Sequence, residues 1–86
     1  MARDVHWLSD PVEDLLSLSR NDRRSADAIV AAVRQLERGG RPDVKKLSGR
    51  DDRWRIRARD FRLQFTRVGD LVVIVSLDNR RDAYDD

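Results

Sequence analysis

Arginine recurs at every second position in one short stretch of the chain. Residues 53–59 have the sequence Arg-Trp-Arg-Ile-Arg-Ala-Arg, and Arg62 follows shortly afterwards. A guanidinium group presents a planar fork of N–H donors that matches a phosphate or a carboxylate, and it stays protonated in proteins. Such a series therefore indicates a surface that binds anions, although arginine itself is a poor proton acceptor.

Positive charge is concentrated in the same half of the sequence. The segment from Lys45 to Arg67 has nine Lys or Arg and three Asp or Glu residues, a local charge of +6, whereas the rest of the chain carries −4. This segregation favours a polyanion as the binding partner. The alternative is that these are solvated charges on the exterior of strands, as any charge-rich protein needs.

Several classes of site are excluded by residue types that the chain lacks. It has no cysteine, and His6 is its only histidine, so disulfides, thiolate metal sites and histidine-rich metal clusters are excluded, and we expect no metal or cofactor. His6 has no neighbour in the sequence that would orient it for catalysis, so we interpret it as an ordinary strand histidine. The chain has no long apolar run and no signal peptide, which predicts a cytoplasmic protein without a membrane segment.

The 86 residues are enough for one domain, residues 1–86, with a single core. Residues 3–8 are expected to form a first strand. A first helix is predicted to begin with Asp10 as its cap and to run to about Leu18. A second helix is predicted after a cap at Asn21 or Asp22 and before Gly39-Gly40. Its apolar stripe consists of residues spaced three and four apart, namely Ala26, Ile29, Val30, Val33 and Leu36.

The alternation of residues 53–59 is typical of a strand, and it continues at Phe61, Leu63 and Phe65. With Arg59-Asp60 as a two-residue connection, every large apolar group falls on one face, and Arg57 lies directly opposite Arg62. Like charges in this position destabilise a sheet by up to about 1 kcal/mol, which favours a functional role. Alternatively, the arginines splay apart and pair with acidic residues, of which the candidates are Asp51, Asp52 and Asp78.

The last strand is predicted over residues 71–78, after a three-residue loop at Val68-Gly69-Asp70, because a two-residue loop would pair Arg62 with Leu77 and mix apolar with charged residues. This register pairs Leu63 with Val75 and Phe61 with Leu77, with Val73 also inward. It leaves Val72 and Ile74 on the outer face and puts Ser76, Asp78 and Arg80 beside Arg62. The expected fold class is α+β: an N-terminal strand, two antiparallel helices and a three-stranded antiparallel meander, forming one sheet with the helices on one face.

Four segments in this order resemble a known family. They are Lys-Lys-Leu-Ser-Gly at 45–49, Trp-Arg-Ile-Arg at 54–57, Asp-Phe-Arg-Leu at 60–63 and Leu-Asp-Asn-Arg-Arg-Asp-Ala-Tyr at 77–84. Together they resemble the RelE branch of the RelE/ParE toxin superfamily, and the match extends over essentially the whole chain. The resemblance implies a RelE-like fold and a toxin of a type II toxin–antitoxin pair.

RelE-like toxins cut mRNA in the ribosomal A site by attack of a ribose 2′-hydroxyl on the adjacent phosphate, without a metal. The resemblance implies catalytic roles for Arg55, Arg57, Arg62, Arg80 and Tyr84. Further candidates for binding RNA phosphate are Lys45, Lys46, Arg53 and Arg81. The implied partners are the ribosome with its mRNA and a cognate antitoxin with an acidic, helix-forming segment, and DNA is contacted only through an antitoxin complex.

The chain departs from the family pattern at Arg55 and Arg57, where the best-studied RelE-like sequences have lysines. Proton transfer would then fall to Lys45, Lys46 or Tyr84, or to ribosomal RNA. The alternative function is that of a ParE-like toxin, which inhibits DNA gyrase as a protein-binding module without nuclease activity. A basic interaction domain without toxicity is the third hypothesis.

Overall fold

A five-stranded mixed sheet carries two helices on one face in the computed structural model, which describes residues 3–47 and 52–79. In chain order the elements are β1 (Asp4–Trp7), α1 (Ser9–Asn21), α2 (Arg23–Glu37), β2 (Val44–Lys46), β3 (Arg53–Ala58), β4 (Phe61–Val68) and β5 (Leu71–Asn79). The strand order is β1-β5-β4-β3-β2. β1 runs parallel to β5, and the other neighbours are antiparallel. The predicted α+β fold with its terminal meander is confirmed.

Strand β2 was not predicted. It extends the sheet at the edge beside β3, where Val44 lies opposite Ile56 and Lys46 opposite Trp54. Three residues are too few for an alternating pattern to be recognised in a sequence, so only pairing with β3 defines this strand.

The core lies between the helices and the sheet. The predicted stripe of α2 is buried at Ala26, Ile29, Val33 and Leu36, whereas Val30 is only partly buried. The sheet contributes the remaining members of the buried cluster, which are Ile56, Ala58, Leu63, Phe65, Val72, Ile74 and Leu77. Burial of each large side chain stabilises the fold by roughly 1.5–3 kcal/mol, so this cluster determines which sheet face turns toward the helices.

Helix α1 begins earlier than expected and ends later. Its N-cap is Leu8, without a side-chain hydrogen bond, and Asp10 lies in the first turn, so the prediction of an Asp10 cap was wrong. The backbone N–H of Leu8 donates to the Ile74 carbonyl at 3.0 Å. The chain therefore leaves the sheet at Leu8 and enters the helix directly, with no room for a separate capping residue.

Helix α2 is capped by Asp22, one of the two residues predicted as its cap. The Ser25 backbone N–H donates to Asp22 Oδ1 at 3.2 Å, and the Ser25 hydroxyl donates to Oδ2 at 2.6 Å. Arg59 Nε donates to the same hydroxyl at 3.2 Å. These bonds from Ser25, the side-chain bond first, lower the pKa of Asp22, with a smaller contribution from the Arg59 charge. The start of α2 is thus joined to the β3–β4 turn.

The β3–β4 hairpin has the predicted register. Trp54 lies opposite Phe65, Ile56 opposite Leu63 and Arg57 opposite Arg62. Its two-residue turn holds Arg59 at a φ of +56°, in the left-handed region that a two-residue hairpin requires.

The register predicted for β4 and β5 was wrong. The loop has two residues, Gly69-Asp70, with Val68 opposite Leu71, and the register shifts where Gln64 faces Ser76 and Phe65 faces Ile74. Val75 is the extra residue of this β-bulge. Val72 and Ile74 are therefore buried instead of lying on the outer face, and Leu77 is still inward, opposite Leu63.

Neither α1 nor α2 has the length and apolarity that a membrane-crossing helix needs, within the part of the chain that the structure describes.

The Asp22 cap predicts a stability difference that depends on pH. Folding lowers the pKa of Asp22, so its carboxylate stabilises the folded protein at any pH above the ordinary aspartate pKa of about 3.9. This stabilisation is lost as the pH falls through the lower pKa of the folded state. We expect Asp22→Ala to lower the midpoint of urea unfolding at pH 7, and the difference from wild type to narrow below pH ~4. Asp27→Ala is the control, since the exposed Asp27 carboxylate is 4.0 Å from Arg23. Equal effects of the two substitutions at pH 7 would contradict the assigned cap.

The bulge predicts that β5 tolerates one deletion and not another. Without Val75 the strand would alternate regularly and keep Ile74 and Leu77 inward, so the shortened protein should still unfold cooperatively in a thermal melt. Deletion of Val73 makes Val72 and Ile74 adjacent and forces one of them out of the core, at a cost of roughly 1.5–3 kcal/mol. A Val73 deletion that is no less stable than the Val75 deletion would show that the bulge is misplaced.

Candidate nucleic-acid interface

The face of the sheet turned away from the helices, called the outer face below, carries most of the predicted site residues. Since Trp54, Ile56 and Ala58 face the helices, the residues that alternate with them in β3 point to the opposite side. The basic residues on the outer face are Lys45 of β2, Arg53, Arg55 and Arg57 of β3, and Arg62 of β4.

One row across the outer face combines two arginines and an aspartate. Arg57 lies opposite Arg62 in the β3–β4 register, and Arg62 lies opposite Asp78 in the β4–β5 register. Directly opposed residues of antiparallel strands have Cβ atoms about 4.5–5.5 Å apart, so two guanidinium groups and one carboxylate originate side by side. The row retains a net positive charge.

A second row contains Lys45, Arg55 and Gln64, in neighbouring strands. Arg55 Nη1 donates to the carboxylate of Asp43 at 3.1 Å and to the carbonyl oxygen of the same residue at 3.2 Å. The side chain of Arg55 is 6% exposed, whereas that of Asp43 is 60% exposed. This ion pair ties β3 to the segment before β2, so Arg55 has a structural role in addition to any contact with a ligand. Arg53 Nη1 donates to Gln64 Oε1 at 3.1 Å and lies alongside this row.

Two of the outer-face arginines are buried. Arg55 is 5% exposed and Arg62 7% exposed, while Arg57 is half-buried. The Nε atoms of both Arg57 and Arg62 are shielded from solvent. A long side chain packed in this way has little rotational freedom left to lose when it binds a ligand. These guanidinium groups are therefore preorganised, unlike the flexible charges of a solvated surface.

Three basic residues of the same half of the chain lie on the helix side instead. Lys46 Nζ is 5.9 Å from the centre of the Trp54 ring, Arg67 Cζ is 4.6 Å from it, and Arg59 bonds to Ser25. Lys46, a predicted phosphate contact, is thus separated by the sheet from Lys45 and the outer-face arginines.

The acidic residues considered as partners of the arginines have different positions. Asp52 accepts from Trp54 Nε1 at 2.9 Å and from the Arg67 backbone at 3.1 Å, and it does not belong to the outer face. These contacts, the Trp54 bond first, lower the pKa of Asp52. Asp78 is the acidic residue placed beside Arg62 by the register, and Asp51 lies outside the described residues.

Among the described residues of the outer face, Asp78 and His6 are candidate proton acceptors in addition to Lys45. Asp78 lies directly opposite Arg62, and the sequence analysis, which already placed it beside Arg62, treated it only as a charge partner. His6 lies on the outer face opposite Val73, and two strands separate it from β3. At about 4.8 Å per strand, it is roughly 14 Å from that strand, too far to act on the same phosphate.

Arg80, Arg81 and Tyr84 lie outside the described residues, as do Ser48 and Gly49 of the first resembling segment. Within residues 3–47 and 52–79, no three His, Cys, Asp or Glu side chains come close enough together to hold a metal ion.

No family model matches the sequence, and no curated protein matches it either. Solved structures do match, over nearly the whole chain. One match is a chain of the Escherichia coli DinJ–YafQ toxin–antitoxin complex. The alignment covers 99% of this chain and 100% of that chain, with a TM-score of 0.74 and 12% identity. The Mycobacterium tuberculosis RelBE2 toxin–antitoxin complex covers 93% and 100%, with a TM-score of 0.68 and 22% identity.

The chromosomal ParDE system of Pseudomonas aeruginosa also matches, covering 91% of this chain and 96% of its own, with a TM-score of 0.68 and 15% identity. Solved structures named for RelE and for ParE thus share one architecture with this protein, in agreement with the resemblance found in the sequence. The chain has the fold of the RelE/ParE toxin superfamily.

Proposed function

We propose that this protein is the toxin of a toxin–antitoxin pair and that its outer face binds mRNA in the ribosomal A site and promotes cleavage. The observation that carries this proposal is the position of Arg57 opposite Arg62 on the sheet face turned away from α1 and α2. The fold and the four resembling sequence segments support it.

Electrostatics favours a phosphate as the ligand of the arginine pair. Opposed like charges destabilise a sheet, and burial of Arg62 raises that cost because the surroundings screen charge poorly. A phosphodiester between the two guanidinium groups turns this repulsion into attraction. Each group can donate two parallel hydrogen bonds to the non-bridging oxygens, in the geometry that makes arginine–phosphate contacts strong.

The same contacts would promote strand cleavage. When the ribose 2′-oxygen bonds to phosphorus, the bond from phosphorus to the 5′-oxygen of the next nucleotide breaks, and negative charge builds on the non-bridging oxygens. Fixed guanidinium groups stabilise the transition state, with its additional charge, more than they stabilise the ground state. The 2′-hydroxyl proton must be accepted and a proton delivered to the leaving oxygen. We assign this step to Lys45, on the outer face, together with Tyr84, with ribosomal RNA as a further contributor.

We further propose a cognate antitoxin as the protein partner. Similar structures were solved as toxin–antitoxin complexes with DinJ and RelB-type proteins. A predominantly acidic segment would complement the local charge of +6 between Lys45 and Arg67.

A second candidate function is gyrase inhibition of the ParE type. The observation in its favour is that the arginines of β3 and β4 are poor bases, so the described outer face is better equipped to bind than to transfer protons. A protein-binding module needs no base, and the ParDE system has the same fold.

The nuclease proposal predicts that Arg57→Ala and Arg62→Ala slow cleavage by roughly 10²–10³-fold, the loss typical of removing one transition-state donor. Cleavage is measured by primer extension on mRNA after brief expression and with purified protein on programmed ribosomes. Arg20→Ala is the control, because Arg20 is exposed at the end of α1 on the helix side of the sheet. A thermal melt of each variant shows whether its fold is intact.

Growth arrest by the wild-type protein with intact mRNA and cleaved chromosomal DNA would reject the nuclease and favour gyrase. Undiminished cleavage by folded Arg57→Ala and Arg62→Ala proteins would remove the arginine pair from the site.

Lys45 and Lys46 provide a matched pair, because adjacent strand residues point to opposite faces. Lys45 lies opposite Arg55 on the outer face, whereas Lys46 lies over Trp54 on the helix side. We expect Lys45→Ala to lower the rate of mRNA cleavage at least tenfold and Lys46→Ala to change it less than threefold, with both proteins folded. The same loss from both substitutions would mean that local charge, and not the outer face, determines activity.

A further inference from the structure

A small cavity opens on the helix side of the sheet, where the end of α2 approaches the β4–β5 hairpin. Its volume is about 70 Å³. Its apolar lining consists of Leu36, Val44, Trp54, Phe65 and Val72, and its polar lining consists of Arg3, Arg41 and Arg67, with Gly40 between them. It is separated by the sheet from the outer-face arginines.

The three arginines give this cavity an excess of positive charge. Arg67 Nε is 3.5 Å from Asp52 Oδ1, and Arg3 Nη1 donates weakly to the Leu36 carbonyl at 3.4 Å. Arg41 is exposed and makes no side-chain hydrogen bond or ion pair with the residues that the structure describes. None of the described residues that line the cavity is acidic. Among the described residues, the lining therefore contributes three guanidinium groups and no carboxylate, and Asp52 pairs with one of the three.

Size restricts what can enter. A cavity of about 150 Å³ accommodates benzene, so half that volume is too small for a nucleobase. A glutamate side chain fits both the volume and the lining, because two methylene groups end in one carboxylate. The methylenes would contact Trp54 and Leu36, and the carboxylate would accept from arginines at the rim.

We propose that this cavity, called the Arg41 pocket below, binds a glutamate side chain from an acidic segment of a protein partner. A ligand of so few atoms gains little binding energy on its own, at roughly 0.3–1.5 kcal/mol per atom, so the flanking residues of a polypeptide have to supply further contacts. The charge of the rim selects an acidic segment. The pocket would anchor a partner without covering the outer face.

The test follows the fluorescence of Trp54, which lines the pocket, in full-length protein carrying Trp7→Phe. The probes are the blocked heptapeptide Ser-Ala-Leu-Glu-Leu-Ala-Ser, the same peptide with Gln for Glu, and free N-acetylglutamate. We expect the Glu peptide to shift the Trp54 emission saturably and to bind at least tenfold more tightly than either of the other probes. Arg41→Ala should weaken its binding at least tenfold. Arg38→Ala, which removes an exposed arginine outside the pocket, should change it less than twofold.

No binding of the Glu peptide, equal binding of the Glu and Gln peptides, or equal losses from Arg41→Ala and Arg38→Ala would overturn the proposal. Binding of N-acetylglutamate as tight as that of the peptide would also overturn it, because the pocket would then serve a free anion. These outcomes are independent of mRNA cleavage, since Arg41 and Arg57 lie on opposite sides of the sheet.

Discussion

The register of the β3–β4 hairpin is the constraint on which the rest of the structure depends. Burial of Ile56 opposite Leu63 and of Phe65 opposite Trp54 leaves one acceptable alignment, because a slip of one residue would expose every large apolar group. The same alignment brings Arg57 opposite Arg62. Hydrophobic burial, worth several kcal/mol, outweighs the repulsion of about 1 kcal/mol between these arginines. The pairing of Arg57 with Arg62 is therefore a consequence of how the core is packed.

The bulge in β5 continues this alignment of the apolar residues into the next strand of the sheet. β5 lies between β1 and β4, so it must match Trp7 on one side and Leu63 on the other. Ile74 and Leu77 both face the helices, although residues three positions apart in a regular strand point to opposite faces. The extra residue, Val75, allows both to face inward. Beyond the bulge, Asp78 lies opposite Arg62 and offsets part of the arginine's charge. The core thus also determines the acid that accompanies the arginine pair.

The basic residues have different uses on the two sides of the sheet. On the helix side, Arg59 joins the β3–β4 turn to the start of α2 through Ser25, and Arg67 packs over Trp54, so these cations help to hold the fold together. On the outer face, Arg57 and Arg62 are packed on the surface turned away from α1 and α2. The number of charges alone does not distinguish these uses. The alternation of side chains along each strand and the geometry of the turns assign each residue to one side of the sheet.

The sequence by itself determined what depends on neighbours along the chain: the apolar stripe of α2 and a cap at Asn21 or Asp22, the β3–β4 hairpin, and the Arg57–Arg62 pair. Periodicity and a two-residue turn specify these features locally. Only the tertiary structure decided the bulge at Val75, the Asp43 ion pair of Arg55 and the short strand β2. Each of these depends on elements distant in sequence being packed against the same sheet, and no local pattern contains that information.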